Sequence, residues 1–226
     1  MKKRTALLAS LGALVLFSLV MVDCRSAPPQ ELAEPVDLPE PQKEGTMSVE
    51  EAISKRRSVR RFADRELSME QVSQLAWAAQ GITDPQRGFR AAPSAGATYP
   101  LELYLVKSDG TYHYIPAEHR LMRMYSEDVR GPLADASLGQ AAVREAALNV
   151  VIAAVFERTR ARYGSRADVY VYTEAGHVAE NLHLQAVALG LGSVPIGAFR
   201  KAAVAEALGL PQDHEPIYII SIGYPR

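Results

Sequence analysis

The 226-residue chain has a single cysteine, Cys24, so no internal disulfide can form and no thiolate cage can hold a metal. An excess of charge of either sign is also missing. With 25 Lys and Arg against 26 Asp and Glu, nothing in the overall balance steers the chain toward nucleic acid, and none is expected as a partner. Tryptophan occurs once, at position 77, off the apolar stripe of its segment, which favours packing or an interface over a stacking platform for a ligand.

Only one apolar run approaches the length of a membrane span. It extends from Ala6 to Val22 behind Met1-Lys2-Lys3-Arg4, the layout of an export signal. As a helix it would reach about 25 Å, a little short of the ~30 Å hydrocarbon core. A cleaved signal, a lipoprotein signal with Cys24 acylated and a retained anchor all fit, and a buried helix is the remaining reading. Asp23 departs from the small uncharged residue that usually precedes an acylated cysteine. Residues 1–24 are therefore expected to be an export signal or a lipoprotein or membrane anchor. The domain is placed in the cell envelope outside the cytoplasm, tethered more readily than freely secreted. Residues 25–45, rich in Pro and Glu and without apolar periodicity, read as an extended linker. The folded unit is expected over 46–226, beginning near Thr46.

Within that unit, Ser48 and Glu51 form a capping-box pattern for a short helix, and Ser68 and Gln71 form another. The second opens a helix with Val72, Leu75, Ala76 and Ala79 on one face and a stop at Gly81. Asp84 to Arg90 reads as a loop. Leu101–Val106 and Tyr112–Ile115 read as strands joined at Asp109-Gly110, a type I′ signal, with a third short strand near Leu121–Met124. Asp128 to Ala147 suggests two short helices. Leu148 to Phe156 is continuously apolar and reads as a central strand buried on both faces. The longest helix is predicted over Tyr170–Leu189 with Gly190 as its stop. Short strands at Ser193–Ile196 and Ile217–Ile222 and a helix over Lys201–Leu208 complete the set.

Charge is concentrated without a neighbouring carboxylate at Arg56-Arg57-Ser58-Val59-Arg60-Arg61-Phe62. Four guanidiniums and a hydroxyl in six residues suit a compact anion, because Arg binds phosphate bidentately and never loses its charge. Pro93-Ser94-Ala95-Gly96-Ala97-Thr98-Tyr99-Pro100 mixes small residues and proline, so its backbone can approach a flat ligand. Gly197-Ala198 ends a strand with backbone free to point an amide outward. Glu174 and His177, then Glu180 and His183, form two Glu-x-x-His pairs on one helix. They lie about 240° apart around it, so no shared metal centre is expected. His177 is expected in helix packing and His183 at the surface.

Taken in order, the segments at 56–62, 93–100, 174–177 and 190–199 resemble the FMN-dependent nitroreductase superfamily, in particular its branch of SagB-type and thiazole/oxazole-forming dehydrogenases. The resemblance covers roughly Met47 to Pro225. It implies an α+β fold, a mixed and mainly antiparallel sheet surrounded by helices, in an interlocked homodimer with FMN at the interface. It further implies that Arg56, Arg57 and Ser58 hold the phosphate and ribityl chain and that Arg60 meets the pyrimidine edge. Pro93, Ser94, Ala95 and Gly96 would pack along the ring, with the backbone of Gly197 and Ala198 at flavin N5. No protein nucleophile is implied. Two departures stand out: Ala97 where many nitroreductases have a flavin-bonding Asn, and Arg162 beside Tyr163 where the heterocycle-forming enzymes commonly carry Lys. A guanidinium is a poor proton acceptor. The function implied is ping-pong hydride or electron transfer between FMN and an unidentified small molecule or peptide. NAD(P)H is open as the donor, because nicotinamide nucleotides are expected to be scarce outside the cytoplasm. A flavin-binding domain without turnover, acting in recognition at the envelope, is the alternative.

Overall fold

The computed structural model describes residues 34–226; the expected leader, Cys24 and the first part of the linker lie outside the described residues. Its elements are, in chain order, β1 (Glu34–Asp37), α1 (Val49–Lys55), α2 (Met69–Gln80), β2 (Ile82–Asp84), β3 (Phe89–Arg90), β4 (Leu101–Lys107), β5 (Gly110–Ile115) and β6 (Arg120–Tyr125). Then follow α3 (Arg130–Ala136), α4 (Ala141–Glu145), β7 (Leu148–Ala154), α5 (Phe156–Tyr163), α6 (Ala167–Ala188), β8 (Gly192–Ile196), α7 (Lys201–Ala207) and β9 (Glu215–Gly223).

Seven strands form one sheet in the order β1-β6-β5-β4-β7-β9-β8, and every pairing within it is antiparallel. The continuously apolar run becomes β7, with each of its residues buried, because helices cover the sheet on both faces there. The period-two alternation of β4 sorts the two faces. Leu101, Leu103 and Leu105 enter the core made with α2 and α6, while Tyr104 and Val106 enter the core made with α3, α4 and α7. This is the α+β architecture implied by the resemblance.

Both predicted helix starts are realised. Ser68 and Gln71 make the full reciprocal box, whereas Ser48 caps Glu51 N–H and Glu51 itself turns to Lys55. Three expectations are corrected. The hairpin between β4 and β5 turns at Ser108-Asp109, because Lys107 pairs with Gly110, and neither central residue has the positive φ a type I′ turn requires. Residues 82–90 are a small hairpin, β2 on β3, rather than plain loop. The third correction is the linker.

Glu34–Asp37 adds an edge strand to β6, and Leu38 is buried. Ser73 Oγ donates to Pro39 O, and His119 reaches the same carbonyl through Nε2 at 3.1 Å while Tyr114 OH meets its Nδ1 at 2.9 Å. Gln42 N–H donates to Gln74 Oε1 and Gln74 Nε2 to Gln42 O. The order of this Pro- and Glu-rich stretch comes from α2 and the sheet edge, long-range partners that local composition does not reveal. Thus the boundary expected near Thr46 moves at least to Glu34. Among the described residues no helix is long and apolar enough to cross a membrane.

A chain beginning at Thr46 should be less stable than one beginning at Glu34 by about 2–4 kcal/mol, the burial of one leucine and a few hydrogen bonds less their ordering cost. Urea unfolding of the two chains measures it; equal midpoints would contradict the docking of this arm.

Candidate functional site

Helix α1 ends when Arg56 N–H donates to Ala52 O, and the chain leaves in an extended form that runs onto the edge of the sheet. Ser58 forms a parallel bridge with Ser193 of β8, and Val59 N–H donates to Ser193 O at 3.0 Å. Gly192 makes this approach sterically feasible: a Cβ there would fall 2.7 Å from Val59 Cβ. Further on, the buried Phe62 packs on Gly223 and bridges to Pro225. The arginines are thereby held on the outer side of the sheet edge, Arg56 half-buried and Arg57, Arg60 and Arg61 exposed. Their duties differ. Arg57 Nη1 donates to Ser54 O and Arg56 O, capping α1, and Arg61 pairs with Glu145 at 3.3 Å. Among the described residues, neither Arg56 nor Arg60 faces a carboxylate partner.

Strand β8 carries the chain from Ser193 to Gly197, four residues and about 13 Å at strand rise. Gly197 and Ala198 are exposed, and neither amide donates to a backbone acceptor among the described residues. The glycine has no reason within the chain itself. Its φ is not left-handed, and an added Cβ would meet only the Tyr218 ring at 3.9 Å. Bare backbone at this point makes sense if something outside the chain comes close.

Behind Ser193 lies His183. Its Nδ1 sits 2.7 Å from Ser193 Oγ, the residue is 5 % exposed, and burial together with the nearby Arg56 charge pushes its pKa down to about 4. The expectations for the two helix histidines are thus reversed: His183 is buried and His177 exposed. The cause is β8 and the Arg56–Val59 segment, which together cover the C-terminal half of α6.

The loop 93–99 contains a short 3-10 turn at Ala95–Ala97 and three left-handed residues, Gly96 (φ 59), Ala97 (φ 54) and Tyr99 (φ 44). Two of these are not glycine, which costs about 1–3 kcal/mol each and needs outside support. Arg162 Nη1 donates to Gly96 O and Arg158 Nη1 to Tyr99 O, both at 3.0 Å. Thr98 meets Thr159 at 2.9 Å, and Ser94 Oγ accepts from Tyr99 N–H at 3.0 Å. The basic cluster 158–166 is therefore largely a clamp on this loop. Arg162, in the place expected for a lysine base, holds a carbonyl instead. Pro93, Gly96 and Ala97 are exposed and Ser94 and Ala95 half-buried, so the loop presents small groups to the outside.

One chain brings Arg56, Arg57 and Ser58 together with Gly197 and Ala198 along β8. The Pro93–Gly96 loop joins α6 at its other end. Ser94 sits by Glu174, and the arginine segment sits by His183, nine residues and about 13 Å further along α6. A groove of about 890 Å³ lies elsewhere, between residues 40–49, α2 and the C-terminal half of α6, with Trp77 in its wall.

Two carboxyls, Glu174 buried and Glu102 half-buried, have surroundings that the sequence does not show. Glu174, 2 % exposed, is pushed up to about 7 by burial, against the partial counterweight of Ser94, Gln80 and Arg90. For Glu102, burial is the largest influence and acts upward. Hydrogen bonds and charge from His113 (2.7 Å) and Arg158 (2.6 Å) together outweigh it and hold the carboxyl at about 2. The pattern of β4 marks Glu102 as inward-facing on the Tyr104 side, but its partners His113 and Arg158 come from β5 and α5, remote in sequence.

A family model described as "Nitroreductase family" matches residues 53–224. A Methanocaldococcus jannaschii protein, provisionally named a nitroreductase, is 41% identical over 183 residues, covering 78% of this chain and 91% of its own. An Archaeoglobus fulgidus protein, provisionally named an NADH dehydrogenase/NAD(P)H nitroreductase, is 28% identical over 179 residues, covering 77% of this chain and 83% of its own. Among solved structures, a provisionally named nitroreductase of Ralstonia eutropha superposes with a TM-score of 0.77 at 27% identity, over 89% of this chain and 96% of that one.

His183 and Glu102 each make the fold less stable as the solution is acidified, whereas Glu174, held up near 7, works in the opposite direction between about 7 and 4.5. His183 is neutral in the fold and charges in the unfolded chain below about 6.5, so its contribution is lost between there and about 4; Glu102 adds a second loss below 4.5. His183 alone lowers the unfolding free energy at about pH 4 by about 2–3 kcal/mol relative to about pH 7, so the change between those two pH values should differ by that amount between wild type and His183→Gln. An unchanged profile in the variant would contradict the burial of a neutral histidine.

Proposed function

The chain belongs to the nitroreductase family, and on that premise we propose that it is an FMN-dependent oxidoreductase working as a homodimer in the cell envelope. The observation that carries this reading is the docking of Arg56–Val59 beside β8, a strand that ends in the bare, otherwise unnecessary Gly197. Arg56 and Ser58 would hold the phosphate and the start of the ribityl chain, with Arg57 joining when it leaves its place on the α1 carbonyls. Arg60 would meet the pyrimidine edge, where a cation favours the anionic reduced ring. The amides of Gly197 and Ala198 are free to donate to N5. The residues present fit the group: two arginines face no carboxylate among the described residues, and two amides face no backbone acceptor.

The loop at Pro93–Gly96 meets α6 about 13 Å from the place of the arginines, and in the interlocked homodimer that the resemblance implies a second copy would supply this wall for the ring. Exposed Val49 and Ile53 on α1, and Val169 and Tyr172 on α6, supply apolar surface for such a contact. FMN, when bound, supplies hydride or electron transfer in two half-reactions. The chain's own task is to orient it, exclude water from one face and stabilise charge on the pyrimidine. No side chain need act as nucleophile.

The substrate is a small molecule or peptide. The SagB-type resemblance suggests oxidation of a heterocycle precursor, yet Arg162, engaged with Gly96 O, is ill suited to remove a proton there. The name of the Archaeoglobus relative includes NAD(P)H as a donor. An envelope location instead favours a substrate-oxidising dehydrogenase or a reductase fed by quinone or a protein partner. A flavin-binding domain without turnover is the second reading, favoured by Ala97 and Arg162 at the two departures from the family pattern.

The purified full chain should be yellow and dimeric by light scattering. NAD(P)H, dithionite or a quinol should bleach it, and a quinone or nitroarene should restore the colour. Arg56→Ala should lower FMN affinity by about tenfold to a hundredfold, the loss of a charge-assisted phosphate contact. A colourless protein that takes up no added FMN would overturn the proposal. Colour that is reduced and reoxidised by no added couple would favour the reading without turnover.

A further inference from the structure

Beneath the 93–99 loop lies a buried polar cluster that the proposed cofactor contacts do not use. Glu174 of α6 and Gln80 of α2 are 2 % and 0 % exposed, and Arg90 of β3 joins them through Nη1, which donates to Gln80 Oε1 at 3.1 Å. Three atoms of this cluster have no hydrogen-bond partner among the described residues: Glu174 Oε1, Gln80 Nε2 and Arg90 Nε. The Arg90 guanidinium also lies over the Tyr99 ring, 4.4 Å from its centroid. Above the carboxyl sits Ser94, whose Oγ accepts from Tyr99 N–H. One carboxyl and one guanidinium thus lie in the same buried cluster, unpaired, each touching a different anchor of a strained loop.

We propose that Glu174 is the positioning residue of the Pro93–Tyr99 loop: protonated, it leaves Arg90 on Gln80 and Tyr99 and the loop in its left-handed form; ionised, it takes the Arg90 guanidinium and frees Tyr99. A bare carboxylate in this surrounding is costly, and Arg90, whose charge the carboxyl feels and whose Nε has no partner among the described residues, is the cation that can offset it. The neighbours do not supply another cation to Glu174. From α2 the facing group is the neutral Gln80, and from the loop Ser94. Arg90 in turn feels Glu102 of β4, Arg158 of α5 and Tyr99. Since the carboxyl is held near 7, the change falls where small shifts of pH alter the population. The consequence for catalysis, a ring wall that is firm below neutrality and loose above it, rests on the reading of this loop as part of the flavin site. The loop's response to Glu174 does not.

The test uses the full chain without flavin. Hydrogen exchange at the Tyr99 amide, corrected for intrinsic rates, should lose about tenfold protection between about pH 6 and about pH 8 in the wild type, and keep it throughout in Glu174→Gln. Infrared difference spectra should show one protonated carboxyl band lost over the same range, absent from Glu174→Gln and retained in Ser94→Ala, which should lack Tyr99 protection at both ends. Identical pH dependence in wild type and Glu174→Gln, or no carboxyl band lost in the wild type, would overturn the proposal. Failure of the wild type to bind FMN would sink the cofactor reading while leaving these results intact.

Discussion

Everything proposed for this fold depends on one close contact, the Arg56–Val59 segment laid against β8. A parallel bridge at Ser193, one backbone hydrogen bond from Val59 and the absent side chain of Gly192 hold it there. Without that contact the four arginines would be a solvated basic run, each side chain worth little on its own. With it, they are fixed to the same strand whose other end exposes the amides of Gly197 and Ala198. The span between them is that of a phosphate, a sugar-alcohol chain and part of a flat ring.

A second constraint acts at the 93–99 loop. The 93–99 loop is held in an unfavourable backbone form by Arg158, Arg162, Thr159 and Ser94, with Glu174 and Arg90 beneath. Strain kept in place by several long-range contacts is characteristic of surfaces that must keep a shape before a ligand arrives. Helix α6 ties the two regions together, meeting the loop through Glu174 and the arginine segment through His183. Its small residues at 175 and 179 are buried against the core, and its buried polar residues at 174 and 183 face the loop and Ser193 of β8 respectively.

The sequence carried the elements better than their partners. The apolar run at 148–156, the serine caps at 48 and 68 and the alternation of β4 are local signals, and each became the element it indicates. The arm at 34–45 was misread as linker because its order comes from Gln74, Ser73 and His119, none of which leaves a mark on its own composition. His177 and His183 were exchanged for the same kind of reason. A helical wheel orders the residues around α6 but cannot say that both β8 and residues 56–59 would cover the His183 side. At the site, Arg56, Ser58 and Gly197 were legible as chemistry; that Gly192 seats them was not, since a glycine in sequence does not show whose side chain it makes room for. Glu174 was noticed only as half of a metal-like pair, and its burial with Gln80 and Arg90 required the packing of α2, β3 and α6 to be known.

The measurement that bears most directly on the central claim is a crystal structure of the full chain with FMN. The account expects the phosphate against Arg56 and Ser58, the reactive edge of the ring at the amides of Gly197 and Ala198, and Pro93–Gly96 of a second copy along the ring. Flavin seated in the groove beside residues 40–49, α2 and the end of α6, or bound with its phosphate away from Arg56, would contradict it.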